Sequence, residues 1–331
     1  MKIVFAGTPE FAVAPLQNII DSGFDVVGVI TQADKPQGRK GILTPPPVKT
    51  LALAYGIPVL QPIKIRDSIE EVRALGGDLL VTCAYGQILT QAVLDSFPQG
   101  VWNIHAGLLP KYRGASPIQS CILAGESKTG VSVMKTELGL DCGDILCVEE
   151  TDIAPNETYG ELSQRLSVIG ARLIVTALNC LKTGEYTLTK QAEAEAQTVR
   201  KINKENAKIN FALPVQTVVN LVRAMNPAPV AYTVLNGNTL NVYRAEKIQV
   251  DSLTEAEKEA YRTAVAGEIL GDIPKRGLLV KCGGDTMNDA MNDTMNGVVK
   301  LTEVQAAGGK RMSGGDFLNG RKARKGEVFS C

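Results

Sequence analysis

Asp25-Val26-Val27-Gly28-Val29-Ile30-Thr31 is almost continuously apolar and rich in β-branched residues. A strand with one wet face alternates polar with apolar side chains. A run without alternation suits a strand covered on both faces, as in an open parallel sheet flanked by helices. The same character recurs at 2–7, 58–61, 78–85, 101–106 and 130–136. Helical stretches fit between these runs, the first from Pro9 to about Ser22, with Thr8 as its cap and Pro9 at its first position. The alternation predicts an α/β fold with a doubly wound, mostly parallel sheet. Phe5-Ala6-Gly7-Thr8-Pro9 lacks the G-x-G-x-x-G spacing, so dinucleotide binding has little support, and Gly7 reads as a tight turn.

Beyond that region the pattern changes. Thr158 followed by Glu161 has the spacing of a capping box, and a long helix is predicted from 158 to about 183, stopped near Gly184. Residues 185–206 are polar and charged and read as a connector. A short helix near 214–225 follows. The hairpin signal Asn236-Gly237-Asn238 then joins runs at 231–235 and 239–243, and further strands are expected at 265–270, 277–282 and 297–304. Together they predict a small antiparallel, OB-like barrel. At 331 residues two domains are expected, 1–184 and 207–331. Residues 285–297 repeat a four-residue Asp, Met, Asn unit, too short for a solenoid, and read as a loop insertion.

Composition narrows the function classes. The net charge is zero, but from residue 200 onward nineteen basic residues face fourteen acidic ones, an excess compatible with a polyanion partner. No export leader opens the chain and no stretch approaches the apolar length of a bilayer span, so no membrane partner is expected. Seven scattered cysteines suit reduced thiols in a cytoplasmic protein. With a single histidine and no CxxC pair, no metal site is expected.

That histidine, His105, lies in Val101-Trp102-Asn103-Ile104-His105, at the carboxyl end of a predicted strand, where open α/β sheets place reactive groups. Side chains two apart share a strand face, so Asn103 sets an amide beside the imidazole. Such a pair suits acyl transfer: the amide and a protonated ring stabilise an oxyanion, and the ring also moves protons. Gly139-Leu140-Asp141-Cys142-Gly143-Asp144 is an acidic turn directly after the run 130–136. If that run lies beside 101–106, one carboxylate reaches the same crevice and orients the ring.

Three ordered motifs, Asn103-Ile104-His105, Leu108-Leu109-Pro110-Lys111-Tyr112-Arg113-Gly114-Ala115-Ser116-Pro117-Ile118 and Gly139-Leu140-Asp141-Cys142-Gly143-Asp144, resemble the formyltransferases that use 10-formyltetrahydrofolate. The resemblance implies a catalytic trio of Asn103, His105 and Asp141. It also implies that 10-formyltetrahydrofolate, as co-substrate, lies against the turn Gly107, Leu108, Leu109, Pro110 and the strand end Cys83, Ala84, Tyr85, Gly86. One departure is visible: Gly107 stands where the family usually has serine.

Within that family, Thr31 to Gly41 with Pro45-Pro46-Pro47-Val48-Lys49, the opening Phe5 to Ala12, the Asn226 to Ala231 region and Gln305 to Met312 resemble the members that formylate initiator methionyl-tRNA. The resemblance therefore implies transfer of the formyl group to the α-amino group of that tRNA, for translation initiation, by a monomer whose second domain binds tRNA. A loop carrying Lys35, Arg39 and Lys40 would contact acceptor-stem phosphates. Arg321-Lys322-Ala323-Arg324-Lys325 adds four cations. A formyltransferase for a small amine would need neither the basic loop nor the barrel.

Overall fold

The computed structural model of the chain describes residues 1–38, 41–271, 277–283, 297–320 and 322–330. Two compact units emerge, residues 1–117, 128–152 and 163–200 forming one and residues 118–127, 153–162 and 201–331 the other.

The first unit is built on a seven-stranded sheet. Its strands run in the order Ile145–Asp152, Lys128–Lys135, Val101–His105, Leu79–Cys83, Lys2–Gly7, Asp25–Ile30, Val59–Leu60. The last five strands are mutually parallel, and the first two are antiparallel to their neighbours. Every run read from the sequence as a strand of this sheet forms one. The strand Ile145–Asp152 was not foreseen, because its alternating buried and exposed residues belong to an edge with one wet face. Val4, Ala6, Ile30, Leu80 and Val101 form the core on one face with Phe97 and Tyr85.

The helix Tyr159–Thr183 places Leu166, Ile169, Leu173, Ile174, Ala177 and Leu178 in the interior, a stripe at helical spacing. Gly170 sits where a Cβ would be 3.0 Å from Ile104, so the helix packs directly behind the His105 strand. By length and composition this helix could cross a membrane, contrary to the sequence reading that no stretch approaches that length. Half of its most apolar eighteen-residue window is buried inside the fold, as in a core helix.

Three local expectations need correction. Thr8 does not cap a helix: its hydroxyl donates to the Tyr85 carbonyl at 3.0 Å and accepts from the Gln32 amide at 3.3 Å, while Pro9 leads into a 3-10 turn, Glu10–Ala12, before the helix Val13–Asp21. Gly7 is not a turn. It ends its strand opposite Cys83, and a Cβ there would lie 2.7 Å from the Phe5 ring, 2.9 Å from Ala12 and 3.0 Å from the Cys83 carbonyl. The loop read at 31–41 instead opens into a short hairpin, Lys35–Gln37 paired with Ile42–Thr44.

The second unit holds a five-stranded antiparallel sheet, in the order Ala231–Leu235, Asn238–Ile248, Gly297–Ala306, Leu278–Cys282, with Met312–Ser313 also on Gly297–Ala306. The hairpin at Asn236-Gly237 forms as read, both residues having positive φ. No continuous strand forms at 265–270. Glu268 bridges Val328 and Ile269 bridges Val280, while Ser330 bridges Val234, so single bridges flank the curled sheet. The helix at 214–225 is observed as Val215–Ala224, and an unforeseen helix, Glu255–Thr263, starts at a Thr254–Glu257 capping box. The repeat at 285–297 lies, except for Gly297, outside the described residues.

Replacing Gly7 with alanine forces a methyl group onto a ring and a strand carbonyl that have little room to move. We expect a loss of about 1–3 kcal/mol, the usual range for overpacking, read as a lower urea midpoint. A midpoint equal to that of the unchanged chain would refute this reading of Gly7.

Candidate active site

His105 is the last residue of its strand and is 4% exposed. Asn103 precedes it on the same face, and the antiparallel neighbour Lys128–Lys135 carries the chain on into the Asp141 turn. Asp141 itself adopts φ 48°, left-handed backbone that aspartate tolerates better than most residues. This conformation turns its carboxylate back over the sheet end. Its Oδ2 accepts the Gly114 amide at 2.8 Å and lies 3.5 Å from His105 Nδ1, and its Oδ1 faces Asn103 Nδ2 at 3.4 Å. The amide and imidazole of one stretch and the carboxylate of another are therefore brought together.

The surroundings fix each group. The Thr82 hydroxyl donates to Asn103 Oδ1 at 2.8 Å, so the amide presents its N–H side to the Asp141 crevice. Thr82 faces Asn103 directly in the parallel ladder and is itself buried. Sequence reasoning missed it, although the strand register would have revealed it. His105 Nε2 lies 2.9 Å from the Tyr112 carbonyl, which can only accept, so Nε2 carries the proton and Nδ1 is the nitrogen facing Asp141. Burial lowers the pKa of His105 below its ordinary 6.5, against opposing pulls from Asp141 and the Tyr112 carbonyl.

The strand end Cys83 to Gly86 and the turn Gly107 to Pro110 flank this crevice in the chain. The Cys83 and Tyr85 side chains are buried, whereas Ala84 and Gly86 are exposed. Gln32 Nε2 donates to the carbonyls of Tyr85 at 3.2 Å and Gly86 at 3.1 Å and braces the loop. On the other side Leu108 and Pro110 are partly exposed and Leu109 is buried. Ser132 bonds the Gly107 carbonyl at 2.8 Å and the Leu109 amide at 3.2 Å. A Cβ at Gly107 would stand 3.2 Å from the His105 ring, so the glycine leaves the imidazole uncrowded. A cavity of about 540 Å³ lies elsewhere, at the amino end of the strand, lined by Gly100, Trp102, Lys135 and Tyr186 among others, and takes in none of the trio.

Residues 1–178 match the family described as Formyl transferase, and residues 201–322 match its C-terminal domain. The chain belongs to the formyl transferase family. The methionyl-tRNA formyltransferase of Bacillus licheniformis is 44% identical over 327 residues, covering 98% of this chain and 96% of the relative. The enzyme of the same name from Bacillus subtilis is 41% identical over 330 residues, covering 99% and 97%. In fold the chain resembles an N-formyltransferase from Helicobacter canadensis solved with folinic acid and dTDP-3-aminofucose, with TM-score 0.63, 18% identity and coverage of 91% and 99%.

Of the basic loop residues, Lys35 is exposed and its ammonium lies 3.3 Å from Gln32 Oε1. Arg39 and Lys40 lie outside the described residues. The base of the hairpin is clamped: Lys49 reaches both Asp34 oxygens at 2.8 Å and Gln61 at 2.7 Å, and its hydrogen bonding holds the Asp34 carboxyl below the usual range. Among the described residues no group of three or more histidine, cysteine or acidic side chains is placed to hold a metal ion.

Because this formyl transferase has one histidine, its imidazole resonances need no assignment. A pH titration by NMR is expected to place their midpoint below 6.5. Protonating the ring then costs stability as pH falls from 6.5 toward that midpoint, since the unfolded chain binds the proton more readily. A midpoint at or above 6.5 would show that Asp141 outweighs burial.

Proposed function

We propose that this formyl transferase moves the formyl group of 10-formyltetrahydrofolate to the α-amino group of initiator methionyl-tRNA, for translation initiation. The convergence of Asn103, His105 and Asp141 carries the reading. The substrate choice is supported by the full-length likeness to the two Bacillus methionyl-tRNA formyltransferases. In this reading residues 1–184 form the catalytic domain, 185–206 the linker and 207–331 an OB-like tRNA-binding barrel. The protein acts as a cytoplasmic monomer, needing neither a metal nor a membrane.

The chemistry follows from the geometry. The amine forms a bond to the formyl carbon, the bond from that carbon to N10 of the folate breaks, and one proton passes from the amine to N10. Asn103, oriented by Thr82, donates its amide hydrogen to the oxyanion that builds up on the formyl oxygen. The carboxylate of Asp141 takes the amine proton, directly or through water, and the proton then passes by way of His105 Nδ1 to N10. Because Nε2 is held by the Tyr112 carbonyl, proton exchange runs through the Nδ1 side. The folate lies against Leu108, Leu109, Pro110 and the Gly107 backbone on one side, and Cys83, Ala84, Tyr85 and Gly86 on the other. Lys35, Arg39 and Lys40 contact acceptor-stem phosphates.

The test is formylation of charged initiator tRNA with 10-formyltetrahydrofolate, with an elongator tRNA as control. His105→Ala, Asp141→Asn and Asn103→Ala are each expected to lower kcat by about 10²–10³-fold, the usual loss for an oxyanion donor or acid–base group. Near-normal turnover in the His105 and Asp141 variants would refute the roles, and turnover only with small amines would refute the substrate. Removing Lys40 or Arg39 should raise KM for tRNA and flatten its salt dependence by roughly one unit of log–log slope for each phosphate no longer neutralised, with KM for folate unchanged.

A further inference from the structure

The segment after the long helix, polar enough to read as plain connector, runs along the outside of the catalytic crevice. Thr189 exchanges two backbone hydrogen bonds with Ile145, both at 2.8 Å. Two residues on, Gln191 Nε2 donates to the carbonyls of Asp141 at 2.9 Å and Gly143 at 2.7 Å. The other end of the same amide, Gln191 Oε1, accepts from Arg113 Nε at 2.9 Å. Arg113 is buried, and its two terminal nitrogens grip the carboxylate of Glu193 at 3.1 and 2.7 Å. Farther along, Thr198–Val199 pairs with Arg113–Gly114 as a parallel ladder, and the Gln197 carbonyl takes the Arg113 amide at 2.8 Å. Gly114 approaches so closely that a Cβ would lie 2.3 Å from the Val199 carbonyl, which requires glycine there.

These contacts join the two chain segments that set the position of the Asp141 carboxylate. One is the turn that carries Asp141 in left-handed backbone, a conformation needing outside support. The other is Gly114, whose amide donates to Asp141 Oδ2. Gln191 holds the first through two carbonyls and meets the second through Arg113. We propose that Gln191 is a positioning residue for the transfer reaction, and that residues 189–199 form a strap whose hold on the Asp141 turn sets the distances from the carboxylate to Asn103 and His105. The inference rests on the assignment of Asp141 to catalysis made above. It gives a role to a segment whose sequence carries no recognisable catalytic motif.

Gln191→Glu isolates the claim. A glutamate keeps an oxygen acceptor for Arg113 but loses both donors and sets a carboxylate against two carbonyl oxygens. Gln191→Met, of similar length with no amide, is the second variant should the first fold poorly. Both are compared with the unchanged full chain by steady-state formylation and by hydrogen exchange at the Gly114 amide. We expect kcat to fall about 10- to 100-fold, as for a small misplacement of a reacting group, with KM for folate and tRNA changed less than about twofold. Exchange at Gly114 should rise about tenfold or more, because loss of the strap lets the carboxylate leave that amide. Unaltered exchange overturns the strap, whatever happens to activity. Faster exchange with unchanged kcat overturns positioning, and the kcat of Asp141→Asn, measured beside it, tells that failure from failure of the catalytic assignment of Asp141. A rise confined to KM overturns positioning in favour of a binding role.

Discussion

The Asp141 carboxylate is the point on which the site depends. It accepts the Gly114 amide, faces the Asn103 amide and stands against Nδ1 of a buried imidazole. A carboxylate so placed has exchanged water for fixed donors. In a crevice from which water is partly excluded, each of those contacts counts for more than it would in bulk solvent. Remove it, and His105 becomes an isolated buried ring whose remaining partner is the Tyr112 carbonyl.

The sheet makes this arrangement reproducible. Parallel register sets Thr82 beside Asn103, and antiparallel register sets Ser132 beside His105. Thr82 then fixes the amide, while Ser132 ties down the Gly107 turn next to the imidazole. Asn103 and His105 therefore rest on ladder geometry, which is stiff, whereas Asp141 is supplied by a turn. That turn requires bracing, and Arg113, Gln191 and Glu193 brace it.

The two cations at the crevice and hairpin show a common device. Arg113 is buried with Glu193 outside it, and Lys49 is half-buried with Asp34 and Gln61 around it. A buried cation is costly without partners and directional with them. In each place the pair fixes a loop that backbone ladders alone would leave loosely held. Gln32 plays a neutral version of this part below the Tyr85–Gly86 loop.

Much of this was legible in the residues. Unbroken β-branched runs marked the strands buried on both faces, a capping box marked the long helix, and i, i+2 spacing placed Asn103 beside His105, because these signals are local. The edge strand Ile145–Asp152, the hairpin at Lys35–Thr44 and the single bridges at Glu268 and Ile269 were hidden, since their pairing depends on partners distant in the chain. Which nitrogen of His105 is protonated, which way Asn103 points and that Gln191 holds the Asp141 turn were decided only by tertiary structure. Each depends on a hydrogen bond that exists only once the chain has folded, whether its partner lies seven residues away, as Tyr112 does, or fifty, as Gln191 does from Asp141.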